Sequence, residues 1–352
     1  MTPSLKRRET MDSRDRVLIA ASKKQPDRLP AFCGRIDDQE YWLTNFKAET
    51  ESELRRLWGL DCRKMSYGNV FKKQPGKTIW GCEDNWDAGY SSTKHFPLAA
   101  AETTMDIERH PWPAVEQVDF NEVSLQIARL DKDCAKIGSI GFEAVFCTLC
   151  DLFGMEAAMI NMHLAPRLIE ASLERIESFL YATIKKILEN DAKNIDFFWW
   201  GDDFSTQRGM MISPEMWRTY LKPVYMKIFE LIKSYNVGVW FHSCGSFAPV
   251  LGELVEGGMD VWETVQAHLD GNDPAGLKRN YGEYITFFGA INCQRTLPFG
   301  SPEEVRREVR ERFSVLGKNG GYIVGPDHSL QKNIPWQNVE ALFDEARKCV
   351  YY

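Results

Sequence analysis

Residues 239–247 read VWFHSCGSF, an apolar run that breaks at His242 and sets Cys244 two residues further on. Imidazole nitrogen and thiolate sulfur are both good zinc donors, and side chains two apart on an extended segment point the same way. The pair could form one edge of a metal site, which needs a third protein ligand from elsewhere and an open fourth position to be catalytic. The same spacing also suits a histidine bonded to a backbone carbonyl and a cysteine packed as a small apolar residue. Spacing alone leaves both readings standing.

Other polar residues stand where apolar runs end. Asp202 and Asp203 close the run in WWGDDF. They are candidate catalytic residues, suited to acid–base work, to supporting a metal ligand or to bonding substrate; as loop caps they would be structural. Neighbours on a strand face opposite ways, so one of the two is expected at a site. Arg35, Gln266 and Asn292 hold similar positions and are candidate substrate-binding residues, with Glu263, Cys293, Asp327 and His328 nearby in the same runs. Cys147 and Cys150 form a C-x-x-C, but it lies in a helix-like segment with no second pair and reads as packed thiols.

These residues need elements to position them. Eight short strand-like segments are read at 28–35, 59–68, 138–145, 194–203, 236–245, 259–265, 284–292 and 320–328, mostly separated by amphipathic stretches. Ser213 with Pro214 marks a helix start, and the glycine pair at 257–258 marks a helix end. Strands alternating with helices make parallel βαβ units, and eight of them predict a (β/α)8 TIM barrel, an α/β fold with its site at the C-terminal strand ends. In that frame His328, after the last strand, could reach the axis from the wall opposite His242. Residues 69–115 break the alternation and are expected as a strand-rich excursion over the mouth, before the third barrel strand. No composition break suggests a boundary, so 1–352 is expected to be a single domain. The competing doubly wound sheet should carry a glycine-rich phosphate loop, and the chain has none.

Bulk properties exclude several classes. The 352 residues carry a net charge of −7, and their basic residues are interleaved with acids, so a nucleic-acid partner is not expected. No run of about 18 apolar residues offers a membrane span. Nine cysteines, an odd number, with no apolar leader read as reduced thiols in a cytoplasmic protein. A frayed start leading into a helix near Ser13 is expected.

Over nearly its whole length the chain resembles the uroporphyrinogen decarboxylase superfamily, which includes zinc- and corrinoid-dependent methyltransferases. The resemblance is carried by SRDRVLIAASKKQPDRLPAF, HFPLAAAETTMDIERHPWP, GDDFSTQRGMMISPEMWRTYLKPVY, FHSCGSF, GNDPAGLKRNYGEYITFFGAIN and GGYIVGPDHSLQKNIPWQNVEALFDEA. It implies a (β/α)8 barrel. True decarboxylases bear an arginine-rich stretch after strand one, where LPAFCGRID keeps only Arg35, and an aspartate motif after strand two that KMSYGN lacks. A porphyrinogen with many carboxylates needs several guanidinium forks, so that substrate is not implied.

The methyltransferase branch has H-x-C after strand five and a cysteine after strand eight as zinc ligands. His242 and Cys244 match the first two, and His328 stands at the third position. The resemblance therefore implies a zinc-dependent methyltransferase of a corrinoid system, moving a methyl group between a small donor or thiol and a cobamide. The aromatic strand ends Trp199, Trp200, Trp240 and Trp262 would suit an apolar or aromatic donor, or serve simply as core. The chain lacks the D-x-H-x-x-G motif of cobalamin-binding modules, so the cobamide is expected on a separate corrinoid protein. The alternatives are a metal-free carboxy-lyase using Arg35 with Asp202 or Asp203 on a smaller acid, and a non-catalytic corrinoid- or tetrapyrrole-binding protein.

Overall fold

The computed structural model describes residues 11–66, 70–83, 85–87 and 90–351. The start before residue 11, where fraying was expected, and the tip of the second expected strand at 67–68 lie outside the described residues. Seven strands pair in parallel and in chain order: β1 (Cys62–Lys64), β2 (Ala135–Ser139), β3 (Phe197–Gly201), β4 (Gly238–His242), β5 (Val261–Val265), β6 (Thr286–Ile291) and β7 (Tyr322–Pro326). The sheet curls, and residues 30–32 bridge its two edges. Val324 N–H donates to Pro30 O and Phe32 N–H to Val324 O, both at 2.9 Å, while Asp61 N–H donates to Ala31 O at 2.8 Å. The result is the expected TIM-barrel-like architecture.

Two strand expectations need correction. Residues 28–35 form no regular strand; Pro30 lacks an N–H, so the segment contributes isolated bridges only. The third expected strand, 138–145, begins three residues earlier at Ala135 and ends at Ser139, after which the chain turns into the helix Phe146–Phe153. Among the described residues the excursion holds one hairpin (Asn85–Asp87 with Tyr90–Ser92), isolated bridges and the helix Thr104–Arg109. It leans on the loop after β2, where Trp80 Nε1 donates to Glu143 Oε2 at 2.6 Å.

Helices start where the sequence places caps. Ser213 Oγ accepts from Met216 N–H ahead of Pro214. Ser301 and Glu304 form a reciprocal box before Pro302–Leu316. Alternation along the strands sorts the tryptophans. Trp199 and Trp240 point into the barrel with Phe32, Ile137, Phe288 and Ile323. Trp200 packs outward on Tyr225 and Phe229, and Trp262 on Phe247. The helix Ser13–Ala21 stops the N-terminal end, with Val17, Leu18 and Ala21 against the interior cluster. Beside it Asp61, fully buried, accepts from Arg16, Arg28, Ser13 Oγ and Ala31 N–H at 2.7–2.9 Å.

Candidate metal centre

At the opposite, C-terminal end, β4 stops at His242, paired with Gly201 of β3 and Glu263 of β5. A Cβ at Gly201 would stand 2.6 Å from the His242 carbonyl oxygen, so only glycine lets β3 run this close. Past Cys244 the chain turns at Gly245, whose φ of +87° and 2.6 Å approach to Ser205 Oγ and Thr206 O exclude any side chain. Side chains hold the turn: Ser205 Oγ donates to Cys244 O, Gly245 N–H donates to Gln266 Oε1, and Asn272 Nδ2 donates to Gly245 O.

The turn gathers a cluster. Asp203, His242 and Cys244 each present a ligand atom, and these atoms lie within 4.8 Å of one another. Cys244 Sγ is 3.6 Å from His242 Nε2, and Asp203 Oδ1 is 3.8 Å from the same nitrogen. Asp203 Oδ1 also accepts Cys244 N–H at 2.7 Å, which ties the acid to the turn. Behind the imidazole, Glu263 Oε1 lies 3.3 Å from Nδ1. A carboxylate only accepts, so Nδ1 carries a proton and Nε2 is the ring nitrogen that faces Cys244 and Asp203. That carboxylate–histidine arrangement is what orients a metal-bound imidazole.

The charges balance one another. Burial raises the Cys244 pKa and Asp203 adds to the rise, but His242 and His328 outweigh both and leave it below the usual thiol value. Burial would lower the His242 pKa; Cys244, Glu263 and Asp203 carry it well above the usual imidazole value. Burial likewise opposes ionisation of Glu263, and Lys64 and His242 override it. Phe142 and Trp199 wall the cluster, their ring centroids 5.7 and 5.5 Å from that of His242.

His328, after β7, acts electrostatically on the Cys244 thiol, although it is not part of the mutually close set, and its Nδ1 lies 3.1 Å from Ser329 Oγ. Asp203 faces the cluster and Asp202 does not. Asp202 is fully buried, accepting Val145, Phe146 and Cys147 N–H and Tyr225 Oη–H at 2.6–3.1 Å, so it caps the helix Phe146–Phe153. Burial lifts its pKa to about 6. Of the two acids expected as catalytic, Asp203 reaches the cluster and Asp202 is held at the helix start.

The expected substrate-binding residues make bonds of their own. Gln266 commits its carbonyl oxygen to the 245 turn, and Asn292 Oδ1 accepts Gln294 and Arg295 N–H. Arg35 is 43% exposed at its side chain and pairs with Asp37. Cys147 bonds the Asp203 carbonyl, Cys150 is buried, and all nine cysteines are free. Glu263 and Lys64 are charged members of this neighbourhood without an expected role. Glu263 shows in the sequence as an acid inside an apolar strand, and that is its only signal.

The uroporphyrinogen decarboxylase (URO-D) family model matches residues 97–349. The chain belongs to that family. A methyltransferase from Methanosarcina mazei is similar in structure, with a TM-score of 0.73 over 96% of this chain and 99% of that one, at 18% identity. Comparison with curated protein sequences finds no match. Among the described residues of this family member no helix is long and apolar enough to cross a membrane.

Proposed function

We propose that this URO-D family member is a zinc-dependent methyltransferase that moves a methyl group between a small donor or thiol and a cobamide held by a separate corrinoid protein. The observation that carries the reading is the convergence of Asp203, His242 and Cys244 at the barrel mouth, with Glu263 behind the imidazole. Thiolate, imidazole and carboxylate form a donor set that zinc accepts. Those three residues would hold it, with His328 beside the thiol as the further donor. The methyltransferase neighbour supports the same class of reaction.

A bound zinc ion would supply Lewis acidity, lowering the pKa of a thiol or polarising the heteroatom of a methyl donor. The protein's own residues do the rest. Glu263 keeps the Nδ1 proton in place, so Nε2 stays a donor. Asp203 fixes the main chain at Cys244. Trp199 and Phe142 exclude water from one side.

Zinc content of the purified protein tests the reading directly. The wild type should hold close to one zinc, and His242→Ala and Cys244→Ser should each lose it together with turnover against a reduced corrinoid protein. Asp203→Asn and His328→Gln, compared in the same assay, identify the third ligand by the larger loss. Full activity in chelator-stripped protein, with Cys244→Ser silent, would remove zinc and restore the carboxy-lyase.

A further inference from the structure

Lys64 ends β1 at the same rim that His242 reaches from β4. Its Nζ lies 4.1 Å from the centroid of the Trp199 ring, whose centroid is 5.5 Å from that of the His242 ring. The side chain is half-buried. Among the described residues its ammonium makes no hydrogen bond and no ion pair. Glu263 is the acid that acts on it most strongly. Both Glu263 oxygens are already engaged, Oε1 with His242 Nδ1 at 3.3 Å and Oε2 with Trp240 Nε1 at 2.5 Å. Arg35 and Arg55 add positive potential nearby, and each has its own carboxylate, Asp37 and Glu51.

A half-desolvated ammonium with three donors and no acceptor carries an uncompensated cost, which the Trp199 face offsets only in part. Burial accordingly pulls the Lys64 pKa below its ordinary value. At the other end of the barrel, buried Arg16 pairs with Asp27 and Asp61, and Arg28 pairs with Asp61. Phe142, 37% exposed, packs near both Trp199 and His242 and supplies an open apolar surface beside the cation.

We propose that Lys64 is an anion anchor: it binds a carboxylate on a compact aromatic or short-chain substrate whose reactive heteroatom meets Asp203, His242 and Cys244. The inference deepens the methyl-transfer reading and rests on it for the identity of the reacting end. It selects an acidic donor or acceptor over a neutral apolar one.

Calorimetric titration of the full chain with benzoate, and with benzamide as its uncharged counterpart, tests it. The wild type should prefer benzoate. Lys64→Met should weaken benzoate by about 10- to 100-fold, the usual worth of a charged hydrogen bond, and leave benzamide unchanged. Lys64→Arg, which keeps the charge, should retain the preference. Equal wild-type affinities, no binding of either probe at millimolar concentration, or unchanged benzoate affinity in Lys64→Met would overturn it. Zinc content is read in the same wild-type samples. A zinc-free protein that still discriminates benzoate through Lys64 removes the methyl-transfer reading and leaves the anchor standing.

Discussion

The two ends of the barrel each bury a carboxylate-centred cluster, and they balance charge in opposite ways. At the base, Asp61 receives two guanidinium groups, a hydroxyl and a backbone N–H, so every charge has a fixed partner. At the mouth, Asp203, Glu263 and Cys244 face two imidazoles and a lysine that none of them pairs directly. Saturation makes a structural joint. A cluster whose balance depends on the protons of two histidines and a thiol is left open to an ion or a ligand.

The sharpest way to break this comparison is at the base. Asp61→Ala would leave Arg16 with Asp27 alone and take away the ion pair of Arg28, and should cost about 3–5 kcal/mol by chemical denaturation. A loss below about 1 kcal/mol would mean that the base is no more committed to stability than the mouth. The contrast sharpens with Glu263→Gln. That change keeps the shape of the side chain but weakens its hold on Nδ1, so zinc affinity should fall about 10- to 100-fold while the protein stays folded. Unchanged affinity by equilibrium dialysis would demote Glu263 to packing.

The smallest effect belongs to a buried charge outside both clusters. Half-buried Lys278 donates to Gly320 O and has no carboxylate partner among the described residues, and burial lowers its pKa to about 8. Between about pH 8 and the unfolded value near 10.5 the unfolded chain binds the extra proton, so stability rises with pH there. The burden is complete below pH 8 and fades as the group loses its proton. Comparing Lys278→Met with wild type, the stability difference should shift toward wild type between pH 7 and pH 10. A pH-independent difference would contradict the burial.

Much of the mouth is legible in the sequence, and the reasons differ by residue. His242 and Cys244 stand out because an apolar strand ends on them, and the closing run GGYIVGPDH points to His328 in the same way. Asp202 and Asp203 cannot be told apart, since adjacent residues alternate in direction and the parity of a strand end is not written locally. Lys64 is hidden for the same reason: CRK offers two adjacent cations, and Arg63 turns to Asp131 while Lys64 turns to Trp199. The expected substrate groups Gln266 and Asn292 reach the correct end of the barrel but serve turns there. Regular periodicity also overstates the first stave, where Pro30 interrupts the ladder.

That interrupted stave has a consequence in time. Residues 30–32 bond Val324, and Leu29 N–H donates to Cys349 O, so the seam joins segments far apart in the order of synthesis. Closing so long a loop costs only slightly more than closing a short one, because the entropy grows with the logarithm of length. The order of events is still fixed by synthesis. Asp61 and its donors all lie within residues 13–61 and can assemble early, whereas Asp203, His242, Cys244 and Glu263 follow with β3 to β5. His328 arrives only with the stave that seals the barrel, so its influence on the Cys244 thiol begins when the seam forms.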